Sequence, residues 1–105
     1  TKYDDVFIDN SHFSWMSRSR RTSSTPEVSA LIKQKENHIK TMLFVKKNDD
    51  EGSDFYYLGN MIYNSFEDTK MNSEKDGKIE KVPVVNIQFR MKNPVPQQLY
   101  NYLES

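Results

Sequence analysis

Arginine and hydroxyl side chains are concentrated in one short stretch of this 105-residue sequence. Arg18, Arg20 and Arg21 lie within four residues of one another. The hydroxyl residues around them are Ser17, Ser19, Thr22, Ser23 and Ser24. Guanidinium and hydroxyl groups donate hydrogen bonds to phosphate oxygens, and the rings of Phe13 and Trp15, just before the run, offer stacking surfaces to bases. The stretch therefore predicts binding to nucleic acid.

The net charge of the chain is zero, but the charges are unevenly distributed. Residues 10–48 hold eight bases and two acids, a net charge of +6. Residues 49–80 hold nine acids and three bases, a net charge of −6. Either one face of the folded domain is basic and suits a polyanion, or folding interleaves the two blocks.

Residue types that enzymes use for catalysis are present, but not at catalytic spacings. His12 and His38 have no cysteine partners and no metal-ligand spacing, so we expect both to be structural or solvated. The charged run at 76–81 lacks the Glu-x-Lys strand pattern that holds Mg²⁺ in nucleases. The three glycines are isolated, which argues against a phosphate-binding loop. We therefore expect a domain that is not itself an enzyme and that has no cofactor and no metal site.

The composition limits the size of the hydrophobic core and indicates the cellular compartment. Only 35% of the residues are hydrophobic, but 12% are aromatic, and large rings can fill one modest core. The chain has no cysteine and no apolar stretch of membrane-spanning length, so we expect a cytoplasmic protein without membrane contact. Because the chain begins at Thr1 rather than Met, we expect residues 1–105 to be a single domain of a larger multidomain protein.

Alternation and apolar content predict five strands. They cover Lys2–Ile8, His12–Ser17, Ile39–Lys47, Phe55–Tyr63 and Val82–Lys92. The first is expected at a sheet edge, and the third at the centre, because its consecutive apolar residues Leu43, Phe44 and Val45 would need cover on both faces. In the second strand Phe13, Trp15 and Ser17 share one side. In the fifth, Val85, Ile87, Phe89 and Met91 face one way and Asn86 faces the other.

Turn and capping residues complete the predicted architecture. Thr25 and Pro26 start a short helix that we expect to end near Asn37, with Thr25 as its cap. Gln97–Leu103 forms a second helix, and Gly59 predicts a bulge or bend. The polar segment 64–81 is expected as a long surface loop. Together these elements predict an α+β fold that is mostly β, a curved antiparallel sheet or partly open barrel with two short helices.

Short motifs along the chain also resemble a known family. They are Tyr3-Asp4-Asp5-Val6, Phe13-Ser14-Trp15-Met16-Ser17, Met42-Leu43-Phe44-Val45-Lys46, Tyr56-Tyr57-Leu58-Gly59, and Val84-Val85-Asn86-Ile87 leading into Asn93-Pro94-Val95-Pro96. Their order resembles the C-terminal domain of bacterial helicase-like nucleases, which join a phospholipase-D-type nuclease to a DEAD/DEAH helicase motor. Within that group the chain is similar to the target-recognition domain of Type IV restriction enzymes that cut DNA containing modified cytosine.

The resemblance implies a fold like the SET-and-RING-associated (SRA) and PUA domains, and a function in reading modified DNA. Such a domain would hold duplex DNA and flip 5-methylcytosine or 5-hydroxymethylcytosine into a pocket. For such a function, the charged and hydroxyl side chains that we expect to contact the DNA backbone are Ser17, Arg18, Ser19, Arg20, Arg21, Thr22, Lys46 and Lys47. The residues that we expect in the base pocket are Trp15, Tyr56 and Tyr57, which could stack on a base, and Asn86, whose amide could read a base edge. The implied partners are modified duplex DNA and the helicase and nuclease domains of a parent restriction endonuclease.

Other interpretations of the same residues remain open. Trp15 could belong to the core, one of Tyr56 and Tyr57 must face inward, and Asn86 could simply be exposed. The arginine run could be a solvated loop or contact another domain. The whole domain could instead dock on the helicase or nuclease and regulate it without touching DNA, or read another modification such as phosphorothioate.

Overall fold

Five antiparallel strands form one curled half-barrel sheet in the computed structural model, which describes residues 5–46 and 55–105. The strands are β1 (Val6–Asp9), β2 (His12–Met16), β3 (Thr41–Val45), β4 (Tyr56–Lys75) and β5 (Lys78–Met91), and the helices are α1 (Pro26–Ile32) and α2 (Gln97–Glu104). Strands make up 52% of the described residues, which confirms the predicted mostly-β fold.

Strand β5 lies at the centre of the sheet, whose order is β1-β2-β5-β4-β3. Its inward residues are those predicted from alternation, because Val85, Ile87, Phe89 and Met91 are all nearly inaccessible to solvent. They form the core together with Phe13 of β2 and residues of β4 and α1. Strand β1 pairs only with β2, which confirms the predicted edge position.

Strand β3 is an edge strand, and its predicted central position is wrong. It pairs with β4 alone, so only Leu43 and its inward neighbours pack against the core. The intervening side chains Met42 and Phe44 point outward and are more than half exposed. A consecutive apolar run does not distinguish a doubly covered strand from an edge strand whose outer face is also apolar.

The predicted irregularity at Gly59 is confirmed, since the register with β3 shifts there and Gly59 has a φ of +105°.

The predicted loop at 64–81 is wrong, because this segment is a long two-stranded ribbon. Strands β4 and β5 stay paired as far as Lys75 opposite Lys78. Asp76 and Gly77 connect them with φ angles of 54° and 76°. Two central residues with positive φ define the type I′ turn, whose twist suits a tight hairpin.

Helix α2 forms as predicted, whereas α1 ends at Ile32 rather than near Asn37. Two residues after α1, the side chain of Gln34 is buried against the sheet. Its amide nitrogen donates a hydrogen bond to Thr41 Oγ1, and its amide oxygen accepts one from the Tyr63 N–H. Thr25 occupies the capping position, but its hydroxyl accepts a hydrogen bond from Thr22 N instead of capping the helix. Within residues 5–46 and 55–105, no helix is both long and apolar enough to cross a membrane.

Candidate nucleic-acid interface

A cleft of about 690 Å³ opens on the half-barrel between the two edges of the sheet. Strands β1 and β3 supply its two sides, β2 contributes Phe13 and Trp15, and the end of α2 contributes Leu103. Lys46, directly after β3, also lines it. Its volume lies in the range of about 300–1,000 Å³ that is typical of ligand pockets. The half-barrel therefore presents one cleft that has aromatic side chains in its wall and charged residues of both signs, Lys46, Asp5 and Glu104.

Trp15 is the one predicted base-pocket residue that lines this cleft. It lies directly opposite Ile87 of β5, so the indole and Ile87 share the inward face of the sheet. Trp15 is half-buried and packs partly against the core. The same ring therefore supports the core and contributes surface to the cleft.

Tyr56 and Tyr57 lie on opposite faces of β4, and neither lines the described cleft. Tyr56 packs against the core, with its ring centroid 6.1 Å from that of Tyr102. Tyr57 faces outward, more than half exposed, with its ring centroid 5.0 Å from that of Phe44. As expected from alternation, one tyrosine faces inward and the other outward, and neither shares the cleft with Trp15. Their part in a base pocket stays a prediction.

Asn86 lies on the sheet face opposite to Trp15. It pairs with Met16, one residue along from the Trp15–Ile87 pair, and successive side chains of a strand alternate between faces. Its amide nitrogen donates to Ser14 Oγ at 2.7 Å and to the Trp15 carbonyl at 3.2 Å, and its oxygen accepts from Gln88 Nε2 at 2.5 Å. Asn86 therefore belongs to a polar cluster within the sheet and does not share the cleft with Trp15. Its predicted contact with a base edge stays a prediction.

Ser17 is buried, with 1% of its surface exposed. Its backbone N–H donates to the Val85 carbonyl, and its hydroxyl accepts from Val85 N at 2.8 Å and donates to the Arg18 carbonyl at 3.0 Å. The hydroxyl thus extends the pairing of β2 with β5 beyond Met16. Ser17 is a structural residue, which corrects the prediction that it contacts phosphate.

All three arginines of the run are paired with carboxylates. Arg18 Nη2 lies 3.0 Å from Glu27 Oε2, and Arg21 Nε donates to the other oxygen of Glu27. Arg20 Nη2 lies 2.5 Å from Glu80 Oε1. Glu27 stands in the first turn of α1 and Glu80 on the β4–β5 ribbon, so the arginines fasten their loop to both elements.

These pairs shift the titration of the two carboxyl groups. Hydrogen bonds from Arg21 and then Arg18 hold the pKa of Glu27 below its ordinary value of 4.5. A hydrogen bond from Arg20 lowers the pKa of Glu80 in the same way. Donors that favour the ionised form of a carboxyl group lower its pKa. Both glutamates are therefore anions at neutral pH and reduce the positive field of the run.

The remaining residues predicted to contact the DNA backbone lie in different surroundings. Thr22 is exposed, but its hydroxyl lies 2.9 Å from Ser24 Oγ, within the turn before α1. Ser19 is half-buried, and its carbonyl accepts a hydrogen bond from Arg21 Nη1. Lys46 lines the cleft. Lys47 lies outside the described residues.

The basic and acidic sequence blocks interleave where the arginine run meets the ribbon. Arg20 pairs with Glu80, and one residue past Thr22 the Ser23 N–H and hydroxyl both donate to the Asp68 carboxylate. Of the two expected charge arrangements, interleaving is the one found at this surface.

Three lysines that were not among the predicted site residues surround a second cavity of about 310 Å³. Lys35 follows α1, Lys40 precedes β3 and Lys92 follows β5, so residues distant in sequence meet at one opening. The sequence offers little indication of this cluster, because Lys35 is typical of a basic residue near the C-terminal end of a helix and Lys92 of a residue on the solvent-facing side of a strand. Only the topology brings them together.

His12 contacts Asp9, with its Nδ1 2.9 Å from one carboxylate oxygen, and this hydrogen bond lowers the pKa of Asp9. Among residues 5–46 and 55–105, no three His, Cys, Asp or Glu side chains are grouped as metal ligands.

A curled half-barrel with a cleft between its edges defines a small, mostly-β domain. The chain belongs to the family described as a domain of unknown function, DUF3427, whose model matches residues 1–103. A search of the curated proteins found no match to the chain.

Proposed function

We propose that this domain is a target-recognition module that binds duplex DNA containing 5-methylcytosine or 5-hydroxymethylcytosine and receives the flipped base in the cleft. The observation that carries the proposal is the cleft itself, in which Trp15 and Lys46 line one cavity of about 690 Å³. An indole offers a stacking surface to a base, and an ammonium group offers a charge to its phosphate. A concave site of this volume with aromatic side chains in its wall is typical of ligand pockets.

The cleft addresses the main energetic problem of base flipping. Extruding a base from the duplex costs a few kcal/mol, and stacking it on an aromatic side chain returns about 1–3 kcal/mol. Phe13 and Leu43 add apolar surface to the cleft wall, which suits the 5-methyl group of a modified cytosine. In this proposal the domain itself is non-catalytic. Cleavage would belong to the helicase and nuclease domains of a parent Type IV restriction endonuclease.

Trp15 is the only tryptophan of the chain, so the indole emission reports on the surroundings of this one ring, which include the cleft and the adjoining core. The domain is titrated with a duplex carrying one 5-methylcytosine and with the matched unmodified duplex, and indole emission is recorded. We expect the modified duplex to quench the emission and to bind more tightly. Equal affinity and equal emission change for the two duplexes would contradict the proposal.

Substitution of Trp15 separates stacking from general binding. Trp15→Ala should weaken binding of the modified duplex by roughly 5- to 150-fold, the equivalent of about 1–3 kcal/mol of stacking. Trp15→Phe keeps a ring against the core and should retain most of the affinity. Tyr57→Ala is the matched control, because it removes an exposed ring outside the cleft. If Tyr57→Ala and Trp15→Ala weaken binding equally, the cleft is not the base pocket.

A second candidate function, docking on another domain of the parent chain, is favoured by one exposed apolar patch. Phe44 and Tyr57 are cross-strand partners on the outer face of β3 and β4, and Met42 lies two residues from Phe44 on the same face. All three side chains are more than half exposed. Patches of this kind mark interaction sites in soluble proteins. This function predicts no affinity of the domain for either duplex even at low salt.

A further inference from the structure

The second cavity is cationic and lacks a compensating acid. Lys35, Lys40 and Lys92 line it, and its lining contains no Asp or Glu. Within residues 5–46 and 55–105 none of these lysines forms an ion pair, whereas every arginine of the predicted run does. The positive charge of the cavity is therefore not compensated within its lining, whereas the arginine loop keeps a net charge of +1 from three arginines and two glutamates.

The framework of the cavity is fixed by backbone and buried side-chain contacts. Lys92 N donates to the Asn60 carbonyl at 2.9 Å, which ties the end of β5 to β4. Ile39 N donates to the Gln34 carbonyl at 2.8 Å, which closes the turn between α1 and β3. The lysine stems thus start from hydrogen-bonded backbone on three separate segments.

The cavity also adjoins the proposed base cleft. Thr41 and Met61 line both cavities, so the two openings are neighbours across the start of β3. The rest of the wall includes Ile39 and Ile62, which offer apolar contact to a sugar ring. A phosphate held by the lysines would therefore place the adjoining nucleotides beside the cleft.

We propose that the Lys35–Lys40–Lys92 cavity binds phosphodiester groups of the duplex whose modified base enters the cleft, an inference that rests on the proposed function. Lysine ammonium groups bind phosphates as point charges, which gives affinity without sequence selection. Each neutralised phosphate contributes about 0.9 to the slope of log affinity against log salt on B-DNA. If each of the three lysines neutralises one phosphate, together they contribute roughly 2–3 to the slope of log affinity against log salt.

The test is a salt series of binding isotherms, measured by fluorescence anisotropy with labelled modified and unmodified duplexes. The variant is Lys35→Ala with Lys40→Ala and Lys92→Ala. The matched control is Lys70→Ala with Lys78→Ala and Lys81→Ala, which removes the same charge from exposed ribbon positions. We expect the cavity variant to lose a slope of roughly 2–3 for both duplexes and the control to keep the wild-type slope. Replacing the three cavity lysines by arginine should restore the slope.

The outcomes separate the inference from the proposed function. If the wild-type domain prefers the modified duplex but the cavity variant keeps its salt slope, the inference is wrong and the proposed function stands. If the ribbon control loses as much slope as the cavity variant, the effect is that of net charge, and the inference is again wrong. If the wild-type domain binds neither duplex at low salt, both proposals are wrong.

Discussion

Arg20 and Glu80, 60 residues apart in the sequence, form an ion pair in which Arg20 Nη2 donates a 2.5 Å hydrogen bond to Glu80 Oε1. Arg20 also adopts a left-handed backbone conformation, with a φ of 61°. The next residue, Arg21, donates its backbone N–H to the Pro83 carbonyl of β5. The most basic stretch of the sequence is thus attached to the ribbon by both its side chains and its backbone.

Glu80→Gln should increase the affinity for duplex DNA because it removes the carboxylate that neutralises Arg20. If the freed guanidinium then contacts one phosphate, the slope of log affinity against log salt should steepen by about 0.9. Modified and unmodified duplexes should gain equally, since a backbone contact does not distinguish bases. Anisotropy titrations at three or more salt concentrations measure both quantities.

Glu74→Gln is the control for Glu80→Gln, since it removes an exposed carboxylate from the same ribbon and has no arginine contact among the described residues. It should leave the salt slope unchanged. An equal effect of the two substitutions would mean that net charge, and not release of Arg20, governs the affinity.

Ser17→Ala should destabilise the fold by about 1–3 kcal/mol, because the buried N–H of Val85 loses its acceptor. Urea denaturation followed by circular dichroism measures the free energy of unfolding. The DNA affinity of the folded variant should equal that of the wild type, because the Ser17 hydroxyl is inaccessible to phosphate.

Ser65→Ala tests the specificity of the Ser17 effect. Ser65 is exposed on β4, so removal of its hydroxyl should change the free energy of unfolding by no more than about 0.5 kcal/mol. A loss of DNA affinity in Ser17→Ala without a loss of stability would restore Ser17 as a phosphate contact.

The parts of the fold that were predictable from sequence are those where one face of a strand is buried and the other is not. In β5 the apolar residues recur at every second position, which defines the strand, its inward face and the outward side of Asn86. The same alternation groups Ser17 with Phe13 in β2. Burial of Ser17 was therefore implicit in the sequence, although hydroxyl chemistry favoured a contact with phosphate.

The β4–β5 ribbon shows what alternation alone misses. Residues 67–81 are mostly polar on both faces, so a period-two apolar signal is absent. The Asp76-Gly77 pair was the available signal, since this dipeptide favours the type I′ hairpin turn. The Arg20–Glu80 pair and the lysine cavity were beyond prediction, because both depend on which distant segments the sheet order makes neighbours.

Gly77→Ala should destabilise the domain by about 1–2 kcal/mol, the cost of holding a Cβ-bearing residue in a left-handed conformation. The φ of Gly77 is 76°, and no heavy atom lies within 4 Å of the position that a Cβ would occupy, so backbone strain is the whole effect. Asp76→Gly is the matched control, because Asp76 has a φ of 54° and glycine adopts that conformation without strain. Chemical denaturation measures both. An unchanged midpoint for Gly77→Ala would contradict the type I′ turn.

The stability of the domain should fall as the pH is lowered through the acidic range, in part because of Glu27. Arg21 and Arg18 hold the pKa of Glu27 in the folded state below its ordinary value of 4.5, which approximates the unfolded state. The unfolded chain therefore binds the proton first as the pH falls. The contribution of Glu27 to stability is complete above about pH 4.5 and is lost as the pH falls through the lower folded-state pKa.

Glu27→Gln isolates that contribution, since glutamine keeps the shape of the side chain but cannot titrate. The variant should be less stable than the wild type at pH 7, and the difference should shrink toward pH 3, where the wild-type carboxyl group is also neutral in part. Urea denaturation at intervals between pH 3 and pH 7 gives the two curves. Glu67→Gln, which removes an exposed carboxylate from β4, is the control. A constant difference between Glu27→Gln and wild type across this range would mean that the negative charge of Glu27 contributes nothing to the stability of the domain.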